Sequence, residues 1–347
     1  MVVVADKVEK KVVLIFGGTS SERLVSVASA QNLVAYLQEP ELYFINSDGK
    51  WVETNKKELL AHQNPFTQIF QSTGETVATH LEEMKSRLLG KLIFISLHGT
   101  EGEDGTYQRF FEENKISFIG SSSKSSALCF DKVKAKAIAK SSGIPLAQEL
   151  LADFSKAETV VQVKEFFNKY KKVVLKPVAN GSSFGLFIVN SEIELQQAVK
   201  TIINSTEKLY LCEEFINGRE LTVGVYEVGN TLRALCPSEV ILETGSNFDY
   251  EGKYLGKGSK EITPAVLSAE QKRQCQELAL KAHQIFSCYG YSRTDMILKD
   301  QGPVFLETNT LPGMTKASFY PQQLSAENLS FQQFINDQLN MAEGRFV

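Results

Sequence analysis

Four polar residues near the C-terminal end of the chain could bind a metal ion together. Arg293 and Asp295 precede the turn Asp300-Gln301-Gly302, and Glu307 and Asn309 follow it. If the flanking strands pair symmetrically, Asp295 faces Glu307, Arg293 faces Asn309, and all four side chains share one face. Two carboxylates and an amide oxygen suit Mg²⁺ shared with phosphate groups. A solvated surface hairpin with cross-strand charge pairs would give the same pattern, because register inferred from one turn is weakly determined.

Features that could bind phosphates occur on both sides of this hairpin. Lys176 ends a predicted strand and is followed by the loop Gly181-Ser182-Ser183-Phe184-Gly185. The turn Thr310-Leu311-Pro312-Gly313-Met314-Thr315 offers backbone N–H groups to an anion. The chain contains neither a Walker A motif nor Gly-x-Gly-x-x-Gly. A lysine beside a glycine-serine loop, with carboxylates downstream, indicates a flap over the phosphates of ATP, and Glu213-Glu214-Phe215-Ile216 ends a strand that could contact adenine.

The composition excludes several classes of protein. The chain has 347 residues, of which 43% are hydrophobic and 22% charged, with a formal net charge of −4. These values are typical of a soluble protein with two or three domains, and they lack the basic excess of a nucleic-acid-binding protein. No apolar run is long enough to cross a membrane, and the first residues do not resemble a signal peptide. Five widely spaced cysteines predict reduced thiols and a cytoplasmic location.

The predicted elements change character twice along the chain. Residues 1–120 alternate strands with helices, which indicates an α/β domain with a mainly parallel sheet. Residues 121–216 predict an α+β domain, and residues 217–347 a second one built on antiparallel hairpins. The predicted strands are 12–16, 42–45, 92–97, 173–177, a strand ending at 189, 209–215, 221–228, 231–241, 291–298 and 304–308. The predicted helices are about 22–37, 131–142, 191–203 and 269–287, and the polar segment at about 244–263 is predicted to be a lid.

Seven segments in order resemble the D-alanine–D-alanine ligases of the ATP-grasp superfamily, over essentially the whole chain. They are residues 16–26 (FGGTSSERLVS), 97–106 (LHGTEGEDGT), Asp131-Lys132, Lys176-Pro177 with 181–185 (GSSFG), 248–255 (FDYEGKYL), 292–295 (SRTD) and 307–315 (ETNTLPGMT). The resemblance implies an ATP-grasp fold, with an N-terminal parallel α/β domain followed by two α+β domains that enclose ATP.

The resemblance also implies the reaction. Such ligases transfer the γ-phosphoryl group of ATP to the carboxylate of one D-alanine, and the amine of a second D-alanine attacks the resulting D-alanyl phosphate. The product, D-alanyl-D-alanine, enters peptidoglycan precursors. We therefore expect an ATP-dependent ligase with two Mg²⁺ ions, which Mn²⁺ could replace, acting as a cytoplasmic homodimer. Neither nucleic acid nor a membrane is expected as a partner.

Substrate contacts follow from matching positions in the motifs. Glu22 is expected to hold the ammonium group of the first D-alanine, and His98 to lie near its carboxylate. Arg293 and the backbone N–H of Gly313 are expected to stabilise the tetrahedral oxyanion. The carboxylate of the second D-alanine is expected at Ser318 and the backbone of Phe319. Glu22, Ser182 and Tyr254 are expected to form the hydrogen-bonded set that locks the lids.

ATP and metal contacts are implied in the same way. Phosphate contacts are expected from Lys132, Lys176, Lys253 and the flap residues Ser182 and Ser183. Glu213 is expected to bind the adenine amino group and Glu220 the ribose, while Phe215 and Ile216 contact adenine. The Mg²⁺ ions are expected on Asp295, Glu307 and Asn309, of which Asn309 also contacts the nucleotide.

Two alternatives stay open. The first is a related ligase that makes a depsipeptide or D-alanyl-D-serine; Tyr254 favours the dipeptide, because lactate-forming relatives tend to depart from tyrosine in this loop. The second is a nucleotide-binding regulatory or scaffold protein with an inactive ATP-grasp fold. The intact set of lysine, arginine and metal-ligand residues argues against that second alternative.

Overall fold

The computed structural model describes residues 10–178, 185–229, 231–242 and 259–346. Its strands form three sheets, which follow one another along the chain. The first sheet has the order β4-β3-β2-β1-β5-β6. Its strands are β1 (Val12–Gly17), β2 (Glu41–Ile45), β3 (Trp51–Thr54), β4 (Thr76–Ala78), β5 (Leu92–Ile95) and β6 (Ser117–Phe118). Pairs β1–β2, β1–β5 and β5–β6 are parallel, which confirms the mainly parallel sheet; β3 and β4 add antiparallel edge strands.

Four helices belong to this first part of the chain. They are α1 (Arg23–Leu33), α2 (Lys56–Ala61), α3 (Lys85–Leu88) and α4 (Thr106–Glu113), with a 3₁₀ turn at Leu81–Met84. The predicted helix to residue 37 was too long. After Leu33 the backbone hydrogen bonds change from the α-helical to the 3₁₀ pattern. The N–H of Ala35 donates to the carbonyl of Asn32 and that of Tyr36 to the carbonyl of Leu33, three residues back in each case.

The second sheet is antiparallel and has the order β7-β10-β8-β9. Its strands are β7 (Glu149–Asp153), β8 (Val173–Pro177), β9 (Phe187–Val189) and β10 (Leu209–Glu214). Helices α7 (Thr159–Tyr170) and α8 (Glu192–Asn204) share a buried apolar cluster with one face of this sheet. The predicted hairpin of β8 and β9 is confirmed, while the tip of its loop, residues 179–184, lies outside the described residues.

The third sheet has the order β14-β13-β11-β15-β16, with β12 also paired to β11. Its strands are β11 (Arg219–Val228), β12 (Thr231–Ala234), β13 (Ser238–Leu242), β14 (Ser259–Ile262), β15 (Tyr291–Lys299) and β16 (Gly302–Asn309). The prediction of one strand over 231–241 was wrong, because the strand breaks between β12 and β13 at Leu235-Cys236-Pro237. Pro237 has no N–H group to donate to a neighbouring strand. Most of the predicted lid, residues 244–258, lies outside the described residues.

Several helices pack away from their neighbours in sequence. Helices α5 (Ser123–Phe130) and α6 (Lys132–Ser141) share a core with the third sheet and with α9 (Ala269–Ile285). Helices α10 (Phe319–Ala326) and α11 (Phe331–Glu343) share a core with the first sheet. The predicted domain boundaries at 120 and 216 stay predictions, since packing links parts of the chain across both. Within the described ranges, none of the helices combines the length and the apolar character that a membrane crossing requires.

We expect Phe334→Ala to destabilise the protein strongly. Phe334 on α11 is fully buried, and its ring packs against those of Tyr226, Tyr291 and Tyr320, with centroids 5.3 to 5.5 Å away. Losing this ring should cost about 3–5 kcal/mol of the free energy of unfolding, measured by urea denaturation. Phe346→Ala is the matched control, because Phe346 is 38% exposed and should cost less than about 0.5 kcal/mol. Equal losses in the two variants would contradict the packing described here.

Candidate active site

The predicted site residues within the described ranges line one cavity of about 860 Å³. Strands of the second and third sheets form much of its wall. The loops that follow β1, β5 and β16 and the helical segment around Lys132 contribute further residues. The predicted residues gathered there are Glu22, His98, Lys132, Lys176, Glu213, Phe215, Ile216, Glu220, Arg293, Asp295, Glu307, Asn309, Gly313, Ser318 and Phe319. Ser182, Ser183, Lys253 and Tyr254 lie outside the described residues. Sequence positions nearly 300 residues apart thus meet at one place, while the role of each stays a prediction.

The hairpin of β15 and β16 has the predicted pairing. Arg293 faces Asn309, and Asp295 faces Glu307. The turn itself is tighter than predicted, because Lys299 already pairs with Gly302. If the pairing continued without interruption from Lys299 and Gly302, Asp295 would lie opposite Leu306. A β-bulge at this point, with Met296 opposite Phe305, restores the pairing that puts both carboxylates on the cavity face.

Asp295 is held by three neighbours. Arg293 donates to both of its oxygens, from Nε to Oδ1 at 2.9 Å and from Nη2 to Oδ2 at 2.8 Å. Thr222 Oγ1 donates to Oδ1 at 2.5 Å, and Asn309 Nδ2 donates to Oδ2 at 3.3 Å. A planar guanidinium that grips both oxygens fixes the orientation of the carboxylate. Since Asn309 donates through nitrogen, its amide oxygen is the atom that it can offer to a cation.

These donors fit Mg²⁺ better than Zn²⁺, which prefers His or Cys ligands. Asp295, Glu307 and Asn309 supply oxygen ligands, the type Mg²⁺ prefers when phosphates and water complete its octahedron. In the part of the chain that the structure describes, no group of three His, Cys, Asp or Glu side chains is placed to hold a metal. Two carboxylates with one amide therefore suit an ion that is brought in with, and shared by, phosphate groups.

A cluster of buried charges lies beside the carboxylate pair. Lys176 Nζ is 2.9 Å from Glu213, and Lys132 Nζ is 3.8 Å from Glu307. Burial disfavours the charged form of Lys176, but the attraction of the Glu213 and Glu307 carboxylates is stronger than this effect, so the pKa of Lys176 is raised. Burial dominates at Lys132, and its pKa is lowered. Burial alone would raise the pKa of Glu213, yet the lysines beside it lower that pKa, so Lys176 and Glu213 stabilise each other in the charged form.

Glu213 has a second lysine partner that the sequence analysis missed. Lys136 contacts Glu213 Oε1, while Lys176 contacts Oε2, so both carboxylate oxygens are engaged. The predicted contact of Glu213 with the adenine amino group stays a prediction. Lys136 follows Lys132 by one helical turn on α6, whose N-terminus is capped by Asp131. That spacing of four puts the two lysines on one helix face, and it is the sequence signal that could have identified Lys136.

The expected first-substrate end is formed by α1 and the loop after β5. Glu22 precedes α1 and is 8% exposed; a Cβ on Gly99 would lie 3.1 Å from its Oε2. His98 is buried, with Nε2 3.2 Å from Ser29 Oγ and Nδ1 3.6 Å from Glu103. The imidazole is therefore oriented from both sides, and Glu103 is a cavity residue that the sequence analysis did not identify.

The expected second-substrate end is the N-terminus of α10. Ser318 precedes this helix, but its Oγ accepts from the backbone N–H of Thr315 at 3.2 Å and does not cap the helix. In the first turn of α10, Phe319 and Tyr320 carry N–H groups suited to a carboxylate, whereas Pro321 has none. A Cβ on Gly313 would lie 2.8 Å from Ser318 Oγ, so the two segments approach more closely than a side chain at position 313 allows.

Glu261 on β14 also lines the cavity, although it was not among the site residues predicted from the sequence. Gln322, one helical turn after Ser318 on α10, donates to Glu261 at 3.5 Å. Burial raises the pKa of Glu261 to about 7, and Arg293 and Gln322 offset only part of this effect. A carboxyl group that changes charge near neutral pH thus lies beside the helix expected to bind the second substrate.

Comparison with known proteins matches most of the chain to one family. The family model described as the D-ala D-ala ligase N-terminus matches residues 11–121, and the model of the C-terminus matches residues 138–340. A D-alanine–D-alanine ligase from Leptospira interrogans is 32% identical over 344 residues, which cover 94% of this chain and 96% of that protein. One from Rhizobium meliloti is 35% identical over 338 residues, with the same shares of 94% and 96%.

Solved structures give the same result. The VanG D-Ala:D-Ser ligase from Enterococcus faecalis has a TM-score of 0.80 and 31% identity, covering 96% of this chain and 99% of that one. A D-alanine–D-alanine ligase from Bacillus anthracis has a TM-score of 0.75 and 26% identity, covering 97% and 98%. The two family models together match most of the chain, and this agreement in sequence and fold means that the chain belongs to the D-alanine–D-alanine ligase family of the ATP-grasp superfamily.

Proposed function

We propose that this protein is an ATP-dependent ligase that joins two molecules of D-alanine for peptidoglycan synthesis. The observation that carries the proposal is a single cavity with a carboxylate pair, a lysine cluster and two ends suited to amino acids. A cytoplasmic homodimer that uses two Mg²⁺ ions, with domains at 1–120, 121–216 and 217–347, belongs to the same proposal. The resemblance of the motifs supports these finer points.

At the nucleotide end, the protein neutralises and orients the triphosphate. Lys132 and Lys176 would contact phosphate oxygens, as lysines do in other phosphoryl-transfer sites. Asp295, Glu307 and Asn309 would hold Mg²⁺, which shields the charge that develops on the phosphate oxygens. The apolar residues Phe215 and Ile216 line the part of the cavity expected to receive adenine.

The chemistry has two balanced steps. First, a carboxylate oxygen of one D-alanine attacks the γ-phosphorus, the bond to the β–γ bridging oxygen breaks, and ADP leaves with D-alanyl phosphate formed. Then the ammonium group of the second D-alanine gives one proton to solvent, and the resulting amine attacks the carbonyl carbon. The bond from that carbon to the phosphate oxygen breaks, and inorganic phosphate leaves with the second proton that the nitrogen loses as the amide forms. Activation is needed because a free carboxylate is a poor acylating agent. Glu22 would hold the first ammonium, and the N-terminus of α10 the second carboxylate, which keeps the reacting atoms together.

Arg293 would stabilise the tetrahedral intermediate. Its guanidinium is anchored on Asp295, so its orientation is set before substrate binds. Together with the backbone N–H of Gly313, it would face the developing oxyanion, where preorganised donors have their largest effect on rate.

The test of the proposal is phosphate release from Mg·ATP with D-alanine, with L-alanine, and without an amino acid. We expect release only with D-alanine, together with a dipeptide of the corresponding mass in mass spectrometry. Release that ignores the stereochemistry of alanine, or release without dipeptide, would contradict the proposal. Bound ATP without any release would favour the alternative of an inactive nucleotide-binding protein.

Arg293→Ala should lower kcat by about 10²–10³-fold, the usual cost of losing one oxyanion donor. The affinity for ATP should change little, because the lysines that would bind phosphates remain. Turnover by phosphate release and ATP affinity by calorimetry measure the two effects separately. Arg273→Ala is the matched control, since Arg273 lies on the surface of α9 and should leave kcat unaltered. Near-normal turnover in Arg293→Ala would remove Arg293 from the oxyanion role.

A second candidate function is the ligation of D-alanine to D-serine. It is favoured by the likeness to the VanG D-Ala:D-Ser ligase and by Glu261, a carboxyl group beside α10 that could accept a hydrogen bond from a hydroxyl. Competition between D-alanine, D-serine and D-lactate distinguishes the candidates. Preferred incorporation of D-serine or D-lactate would replace the proposed dipeptide product.

The raised pKa of Glu261 also predicts a pH dependence of stability. Folding raises this pKa from 4.5 to about 7, so the folded state binds the proton more tightly and stability falls as pH rises between these values. Glu261→Gln stays neutral throughout, so between pH 5 and pH 8 it should lose less stability than the wild type. Urea denaturation at the two pH values measures this difference. Glu165→Gln, at an exposed position on α7, is the control and should follow the wild type; parallel behaviour of Glu261→Gln would contradict the prediction.

A further inference from the structure

Lys136 occupies an unusual position for a lysine. Its side chain is 1% exposed, and it lies behind Glu213, which itself lines the cavity. Glu213 on β10 is directly opposite Glu149 on β7, and two like charges in that relation repel each other. Lys136 contacts Glu213 and lies 3.2 Å from Glu149, so one ammonium compensates two carboxylates.

Glu213 also has a partner on the cavity side. Lys176 Nζ is 2.9 Å from Glu213 Oε2, and the two residues project to the same face of the second sheet. The Glu213 side chain is only 5% exposed, so it has almost no contact with water. A buried carboxylate that lost all of its cationic partners would be strongly unfavourable.

This arrangement creates a conflict that Lys136 resolves. To bind a phosphate, Lys176 has to leave Glu213 or share its charge with the new ligand. If Lys176 were the only cation beside Glu213, the carboxylate would retain it and compete with the phosphate. Because Lys136 stays behind Glu213, the carboxylate remains compensated when Lys176 turns toward the cavity.

We propose that Lys136 is a positioning residue for nucleotide binding. It keeps the Glu213 carboxylate paired with a positive charge, so that the ammonium group of Lys176 can turn away from Glu213 and contact the phosphates. The inference rests on the proposed function, because it takes ATP as the ligand of the cavity. If Lys136 only stabilised the second sheet, its loss would affect ligand affinities differently. Loss of stability would weaken every nucleoside ligand equally, whereas loss of positioning affects the ligands that carry phosphates.

The test compares Lys136→Met with the wild type in calorimetric titrations of ATP, ADP and adenosine with Mg²⁺ and without D-alanine. One charge-assisted hydrogen bond corresponds to about a 10–100-fold change in affinity, so we expect Kd for ATP and ADP to rise by about that factor. Kd for adenosine should change little. Lys140→Met is the matched control, one turn further along the same helix at an exposed position, and should bind all three ligands as the wild type does.

Two more variants separate charge from packing. Lys136→Arg keeps the positive charge and should preserve the preference for ATP over adenosine. Adding Glu213→Gln to Lys136→Met removes the carboxylate charge that would retain Lys176, so the ratio of the ATP and adenosine affinities should return to that of Glu213→Gln alone. Recovery of this ratio supports a positioning role, and continued loss in the double variant would overturn it.

The outcomes also separate this inference from the proposed function. Unchanged ATP binding by Lys136→Met, or an equal loss for ATP and adenosine, would overturn the role of Lys136 while the ligase proposal stands. Failure of the wild type to bind ATP would overturn both. A Lys136→Met variant that does not fold would leave Lys136→Arg and the double variant to decide the question, and loss of the ATP preference in Lys136→Arg would count against the inference.

Discussion

The strict alternation of side chains along β15 is the constraint on which the rest of the site depends. Even-numbered residues such as Thr294 and Met296 are buried in the core beneath the sheet, and odd-numbered residues such as Arg293 and Asp295 line the cavity. Neighbouring strands add to the same row, since Thr222 on β11 and Glu307 on β16 flank Asp295. A slip of one residue would exchange the two faces, burying charge and exposing apolar side chains. Core packing therefore sets the register of the residues that we expect to bind Mg²⁺.

The expected substrate ends depend on contacts between distant parts of the chain. The loop after β16 is fastened to α1, because Asn32 Nδ2 donates to the carbonyl of Met314 at 2.7 Å and the N–H of Met314 donates to Ser29 Oγ at 3.3 Å. Ser29 also lies 3.2 Å from His98 Nε2. One serine thus joins the loop that carries Gly313 to the histidine expected near the first substrate. The relative position of the two ends is maintained by side chains that need not touch a substrate themselves.

Features that depend on local pattern were predictable, whereas features that depend on packing were not. The apolar runs of β1 and β8 and the pairs Asp295–Glu307 and Arg293–Asn309 follow from composition and from period-two alternation. The bulge that makes this pairing compatible with the short turn has no sequence signal of its own. The spacing of four from Lys132 assigns Lys136 to the same helix face, but only the fold brings Glu213 and Glu149 beside it. The pKa of Glu261 likewise depends on burial by elements far away in sequence.

The packing of α11 has a consequence for co-translational folding on the ribosome. This helix, which ends at Glu343, completes the same apolar cluster as β1 and β5, although the first sheet is synthesised far earlier. Until α11 emerges from the exit tunnel, part of the face that receives Phe334 and Leu339 lacks its cover. Transiently uncovered apolar surface attracts chaperones and other nascent chains. The first sheet is therefore translated before the second and third sheets, but part of its apolar face is covered only after both of them have been synthesised.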